Sequence, residues 1–293
     1  MAKTIPAAFT EFVGRIKPTD TQVATMRVRR QATHGYLAES FGASSDLPLR
    51  RTVLIGSAER GTIIRPVQDI DVLAVFDNKN HIFERYRGDS RQFLYRVRDA
   101  LARFRVKVVG ARGQAVRLFY AADPYVDIAP VFSLSGGGYL LPGGDGSWIE
   151  TDPEFHQRWW QDQSKVIGAT MTPLAQMSKA WNRTHGRHLK SFHLDILVAS
   201  AFRSLGQDYA GTAAALFGFY STRHARLNVA DPAGKTKDLS EYMTRLGRQE
   251  AENAFDSAAD RARRALKQAV AGHPDEAIRL WGIIFGSEFP AYG

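Results

Sequence analysis

Apolar positions change their period along this chain. Up to about residue 132 they fall in short strand-like runs interspersed with two helical stretches, and beyond Pro153 they recur only at helical spacing. Residues 54–76 predict strand, connector, strand: Leu54-Ile55 runs into Gly56-Ser57, and a second run opens with Asp69-Ile70-Asp71. The polar turn Asp77-Asn78-Lys79-Asn80 follows. Phe93, Leu94, Val97, Leu101 and Phe104 predict a helix over 84–104, and residues 106–109, 115–120 and 125–132 predict three strands. Gly136-Gly137-Gly138 and Pro142-Gly143-Gly144 make 133–147 a loop. Helices are then predicted over 173–183 (Leu174, Met177 and Trp181 on one face), 189–205, 207–220, 249–271 and 277–285. The stripe Ala251, Phe255, Ala258, Ala262 and Ala265 marks 249–271 most strongly. Ahead of the strands, residues 1–18 are a loosely patterned lead-in. A helix is expected over 19–41, capped by Thr19 or Asp20, with Val23, Met26, Ala32 and Tyr36 as its apolar stripe.

This order predicts an α+β protein with a sheet domain ahead of a helical domain. The expected segments are 1–48, an N-terminal helical piece packing on both lobes, 49–165 as the core, and 166–293 as the helical domain. At 293 residues there is material for either one large or two modest domains. The absence of cysteine excludes disulfides, thiolate metal sites and cysteine nucleophiles. It also fits a cytoplasmic location, as does the lack of any signal-like or membrane-length apolar run. A net charge of +9 favours polyanionic ligands. Most of that excess lies between Glu84 and Arg117, where ten cations (Arg85, Arg87, Arg91, Arg96, Arg98, Arg103, Arg105, Lys107, Arg112 and Arg117) face three acids. A solvated helix face explains that run; a nucleic-acid-sensing surface is the sharper alternative.

Chemistry concentrates at 54–76. Alternate strand residues share a face, so Asp69 and Asp71 project together while Ile70 and Val72 point the other way. Two adjacent carboxylates repel unless a cation lies between them, and hard oxygens suit Mg²⁺ or Mn²⁺. Gly56 lets the backbone approach a ligand closely, and Ser57 adds a hydroxyl beside backbone N–H groups, a combination suited to phosphate. Asp127 stands alone in the apolar run 125–132, where a lone carboxylate is costly without a partner. With Asp69 and Asp71 it would complete a three-carboxylate, two-metal site. Gly234-Lys235-Thr236 imitates the end of a phosphate-binding loop, but Val229 stands where that pattern requires glycine. His185, His188 and His193 lack metal-ligand spacing and are expected on surface and loops.

Gly-Ser, a connector, Asp-x-Asp and a later strand Asp resemble the DNA-polymerase-β-type nucleotidyltransferase superfamily. Within it, Gly56-Ser57-x-x-Arg60-Gly61-Thr62 with Asp69-Ile70-Asp71-Val72-Leu73 resembles the bacterial cGAS/DncV-like nucleotidyltransferases, the CD-NTases. Further agreement comes from Gly138-Tyr139-Leu140-Leu141-Pro142, Trp148-Ile149-Glu150-Thr151-Asp152-Pro153, the Lys179-x-Trp181-Asn182 stretch, and Asp231-Pro232. The resemblance spans residues 50–240. It implies a bilobed fold, with a polymerase-β-like nucleotidyltransferase sheet domain and an oligoadenylate-synthase-like helical domain. It also implies roles. Gly56 and Ser57 would hold the triphosphate, and Asp69 and Asp71 would ligate two Mg²⁺ or Mn²⁺ ions. Asp127 would ligate the ion at the acceptor 3′-hydroxyl, and Lys179 would reach phosphate. Ser191, with Tyr220 or Asn228, would line the nucleotide pocket.

The expected activity is synthesis of a cyclic or linear oligonucleotide second messenger from NTPs, with ATP the leading substrate, pyrophosphate released, and the product signalling to a downstream effector in anti-phage defence. Nucleic acid bound at 85–117 is an expected activator, and no membrane is involved. Two alternatives stay open: nucleotide transfer to an RNA end or a protein, as in toxin-like relatives, and a catalytically idle nucleic-acid sensor.

Overall fold

The computed structural model describes residues 2–106, 108–221 and 226–293. In chain order it forms α1 (Ile5–Ile16), α2 (Asp20–Ser40), β1 (Leu49–Ile55), the short α3 (Gly56–Glu59) and β2 (Asp69–Phe76). A 3₁₀ turn over Lys79–Arg85 leads to α4 (Ser90–Leu101), then β3 (Val108–Arg112), β4 (Ala115–Phe119) and β5 (Tyr125–Ser133). The hairpin β6 (Tyr139–Pro142) and β7 (Trp148–Thr151) precedes α5 (Pro153–Ile167), α6 (Met171–Thr184), α7 (Ser191–Ala201), α8 (Tyr209–Phe219), α9 (Arg245–Val270) and α10 (Pro274–Phe285). The α+β expectation holds. Two compact units form: residues 18–60 with 67–158, and residues up to 17 with 61–66 and 159–293. The units therefore interleave along the chain, where the sequence pattern had suggested consecutive segments.

The first unit is a sheet ordered β1-β2-β5-β4-β3, with β6 on β5 and β7 on β6; β2 and β5 run parallel and the other pairs antiparallel. Ile70, Val72, Ala74 and Phe76 of β2 and Val126, Ile128 and Phe132 of β5 face one core with α2 and α4. Leu73, Val75, Val131 and Tyr139 make a smaller cluster. The helix expected over 84–104 is shorter. Asn80 and His81 take positive φ in the preceding turn, and the Asp89 carboxylate caps α4 by accepting from the Arg91 N–H. The loop expected at 133–147 contains β6. The glycine triplet is its hairpin turn, with Gly137 and Gly138 at φ +89° and +80°, so the glycines mark a strand's start and not an excursion. α2 starts as expected, with Thr19 and Gln22 forming a capping box. Its stripe differs in part: Met26 and Tyr36 pack against the core as expected, but Val23 is 40% exposed and the buried positions are Thr33 and Leu37.

The second unit is all helical. The lead-in 1–18 is in fact α1, capped by Thr4, with Phe9, Phe12, Val13 and Ile16 buried. Phe9 meets Trp281 edge-on at 4.9 Å and lies 5.1 Å from Phe289, so its partners come from the far end of the sequence. α6 is buried along nearly its whole length and packs Trp181 against Phe255 of α9 in a tilted ring pair at 4.6 Å. α5, not foreseen as a helix, buries Trp160 and Ile167 while leaving Phe155 exposed. Among the described residues no helix is long and apolar enough to cross a membrane.

Candidate active site

In the sheet unit, the parallel register of β2 and β5 sets Asp71 level with Asp127 and Asp69 level with Tyr125. Their flanking residues Ile70, Val72, Val126 and Ile128 all enter the helix-covered core, so alternation sends Asp69, Asp71 and Asp127 to the opposite face together. On the next strand, β4, Arg117 pairs in register with Asp127 between core-facing Val116 and Leu118, and joins that face. Its Nε donates to Asp127 Oδ1 at 2.6 Å; its Nη2 donates to Asp127 Oδ2 at 2.5 Å and to Asp69 Oδ2 at 3.2 Å. The sequence reading had counted Arg117 with the basic surface. Alternation in Val116-Arg117-Leu118 puts Arg117 opposite the core face; that this face carries the carboxylates follows only from the register with β5. Among the described residues no three acids or histidines converge as a ready metal cluster. Here the guanidinium bridges two of the carboxylates.

Gly56 follows β1, whose Ile55 pairs with Asp71. It sits at φ +74°, and a Cβ built there would lie 2.2 Å from Asp71 Oδ2. Only glycine admits both the left-handed backbone and this approach. Ser57 is half-buried in the first turn of α3, where helix N–H groups lack intrahelical acceptors. Burial, then the neighbouring Asp69 and Asp127, push the Asp71 carboxyl up to about 7, against the pull of Arg60 and Arg117. Burial and Asp127 also raise Asp69, with Arg117 opposing. Arg117 itself is raised, chiefly by its hydrogen bond to Asp127. Arg60 and Arg117 together do not offset burial and the mutual repulsion of the carboxylates.

The remaining expected site residues belong to the helical unit. Lys179 is buried on α6, with its ammonium on Thr62 and Asp195. Ser191 is exposed at the first position of α7. Tyr220 is a core residue instead of a pocket wall, its hydroxyl donating to the Leu197 carbonyl at 2.7 Å. Asn228 lies in a polar network with Asp238, Ser240 and Arg248. His193, expected at the surface, is buried on α7 between the Tyr242 hydroxyl (3.0 Å) and the Leu227 carbonyl (2.7 Å), and burial lowers its pKa. Asp231 closes its own loop by accepting from the backbone N–H of Ala233, Lys235 and Thr236. Among the described side chains of this run, Arg87, Arg91, Arg96, Arg98, Arg103 and Arg117 pair with carboxylates. Lys107 lies outside the described residues.

Residues 4–164 match the family model described as Second Messenger Oligonucleotide or Dinucleotide Synthetase domain. A probable cyclic nucleotide synthase of Bacillus cereus is 23% identical, across 100% of this chain and 99% of that protein. A cyclic AMP-AMP-AMP synthase of Escherichia coli is 26% identical across 94% of this chain and 92% of that protein. Among solved structures, E. coli CdnC with ATP superposes with a TM-score of 0.77 at 18% identity, covering 97% of this chain and 98% of that one. Apo DncV of Vibrio cholerae gives 0.77 at 15% identity, covering 98% and 96%.

Proposed function

The chain belongs to the Second Messenger Oligonucleotide or Dinucleotide Synthetase family of bacterial cGAS/DncV-like nucleotidyltransferases, and we propose that it joins NTPs, ATP foremost, into a cyclic or linear oligonucleotide that signals in anti-phage defence. The observation that carries this reading is the parallel register that sets Asp127 level with Asp71 on the face opposite the core, beside the Gly56 turn. Relatives described with ATP and with a linear pppApG intermediate support NTPs as substrates.

The donor set fits a divalent metal pair. Three carboxylates supply hard oxygens, and a guanidinium already bridges two of them. Asp69 and Asp71 would hold both ions, with Asp127 on the ion at the acceptor. When bound, such ions neutralise developing phosphate charge and ease loss of the acceptor proton. The protein's own part is placement. The Gly56 and Ser57 backbone and the Ser57 hydroxyl hold the triphosphate, and Ser191 lines the nucleotide pocket. Asp127 accepts the 3′-hydroxyl proton while the 3′-oxygen bonds to the α-phosphorus and pyrophosphate leaves. An activating nucleic acid on 85–117 would compete with the carboxylates that Arg87, Arg91, Arg96, Arg98, Arg103 and Arg117 already meet.

Incubation with each NTP and Mg²⁺ or Mn²⁺, followed by mass spectrometry, tests the proposal. Oligonucleotide plus pyrophosphate is the expected result. Label transferred to RNA ends or protein would replace this reading with the toxin-like one.

A further inference from the structure

The helical unit holds a cavity of about 310 Å³ walled by three helices. α6 and the turn after it contribute Trp181, His185 and His188, α9 contributes Ala258 and Arg261, and α10 contributes Ile284. None of these is a residue expected at the transfer site, and no carboxylate is among the lining residues. Trp181 and His185 are spaced i, i+4 and so share one face of α6. Beyond them the chain turns back: Gly186 and Arg187 take φ of +99° and +57°, and the Arg187 N–H donates to the Asn182 carbonyl at 2.7 Å. A Cβ at Gly186 would lie 3.3 Å from the His188 ring, so glycine lets that imidazole fold back against the helix end.

The lining carries donors that the protein leaves unused. Trp181 is 1% exposed, and its indole N–H meets no acceptor among the described residues, whereas a buried indole ordinarily finds one. Arg261 is half-buried. Its Nη1 donates to the Ser257 hydroxyl and to the Ser257 carbonyl at 3.4 Å, and its remaining N–H groups meet no carboxylate among the described residues. Glu250 comes within 3.7 Å of His188 Nδ1, but its side chain is 52% exposed. His185 Nε2 donates to the Ile284 carbonyl at 2.8 Å, which leaves Nδ1 as the acceptor of the neutral ring.

We propose that this cavity binds a small hydroxylated phosphomonoester. A phosphate supplies acceptors for the Arg261 guanidinium, whose planar fork matches it, and for the Trp181 N–H. A sugar hydroxyl supplies the proton that His185 Nδ1 accepts. Ala258 and Ile284 give the carbon skeleton an apolar wall. At about 310 Å³ the space is at the small end of small-molecule sites, which suits a phosphorylated sugar and not a whole nucleoside triphosphate. The proposal stands independently of the nucleotidyl-transfer reading.

The test adds ribose 5-phosphate or glycerol 3-phosphate, each up to about 10 mM, to the whole chain and follows calorimetry and hydrogen exchange. Saturable binding with slowed exchange over 181–188 and 253–261 is expected, and ribose without phosphate should give neither. Arg261→Gln should weaken binding about tenfold, and Trp181→Phe, which keeps a ring and removes the donor, about fivefold. Arg263→Gln should leave binding unchanged, because that arginine is exposed on the same helix and pairs with Asp260. Exchange that neither phosphate slows in either segment overturns the proposal. So does slowing confined to 56–60, which would put the phosphate at the Ser57 turn. Equal weakening by Arg261→Gln and Arg263→Gln, the mark of unspecific surface charge, also overturns it, as does binding that Arg261→Gln leaves unchanged. The Arg261 variant decides the matter even if Trp181→Phe fails to fold, since its half-buried side chain lies outside the packed core.

Discussion

Replacing Gly56 by alanine adds one methyl group at a tightly specified point in the site. Its Cβ would lie 2.2 Å from Asp71 Oδ2 and 3.1 Å from Cγ, whereas non-bonded carbon and oxygen need roughly 3.3 Å. The carboxylate must retreat by about 1 Å, and a shift of that size costs about 100-fold in rate. The backbone term is separate: φ of +74° costs an L-residue roughly 1–2 kcal/mol. Overpacking adds about 1–3 kcal/mol where the neighbour cannot move freely. Two assays separate the terms. Nucleotide incorporation by Gly56→Ala should fall about 100-fold. In a urea-denaturation cycle, Gly56→Ala should cost the full sum in the wild type but only the backbone term in Asp71→Ala, where the obstructing carboxylate is gone. An alanine variant with near-normal turnover, or one equally destabilised in both backgrounds, would refute the close approach of Gly56 to Asp71.

Three further outcomes follow. Asp71 sits with its carboxyl raised to about 7, so its contribution to stability is complete below the unfolded value near 3.8 and lost as pH rises through 7; in chelator, Asp71→Asn should therefore gain on the wild type across pH 4–7, by at most roughly 4 kcal/mol, and plateau above. No change in that difference with pH would contradict the assignment. Arg117→Gln removes a paired guanidinium from Asp127 and Asp69 and should cost about 1.5–3 kcal/mol in urea denaturation, insensitive to salt; a loss that vanishes at high salt would mark an ordinary surface pair. Phe9→Ala should destabilise the helical unit by about 3–5 kcal/mol, because its ring is buried against Trp281, Phe285 and Phe289; a thermal melt within a degree of wild type would restore the loose lead-in.

What was legible in the sequence depended on how local its cause is. Asp69-Ile70-Asp71 states its own face through strand alternation, and Thr19 with Gln22 states a helix start within four residues. α1 was illegible because the aromatic partners of Phe9 and Phe12, Trp281, Phe285 and Phe289, lie some 270 positions away. β6 was hidden because four residues between two glycine clusters carry no period; only pairing with β5 makes them a strand. Arg117 was misread for a related reason. Its charge was visible, but the register that lays it against Asp127 was not. The observed partners of Lys179, Asp195 and Thr62, lie 16 positions after it and 117 before it, beyond the reach of any local pattern.

The most direct test is product formation from labelled ATP with Mg²⁺ or Mn²⁺, comparing the wild type with Asp69→Ala, Asp71→Ala and Asp127→Ala. The account predicts oligonucleotide and pyrophosphate from the wild type, and neither from any of the three variants although each stays folded. Oligonucleotide synthesis at the wild-type rate by any of the three would contradict it.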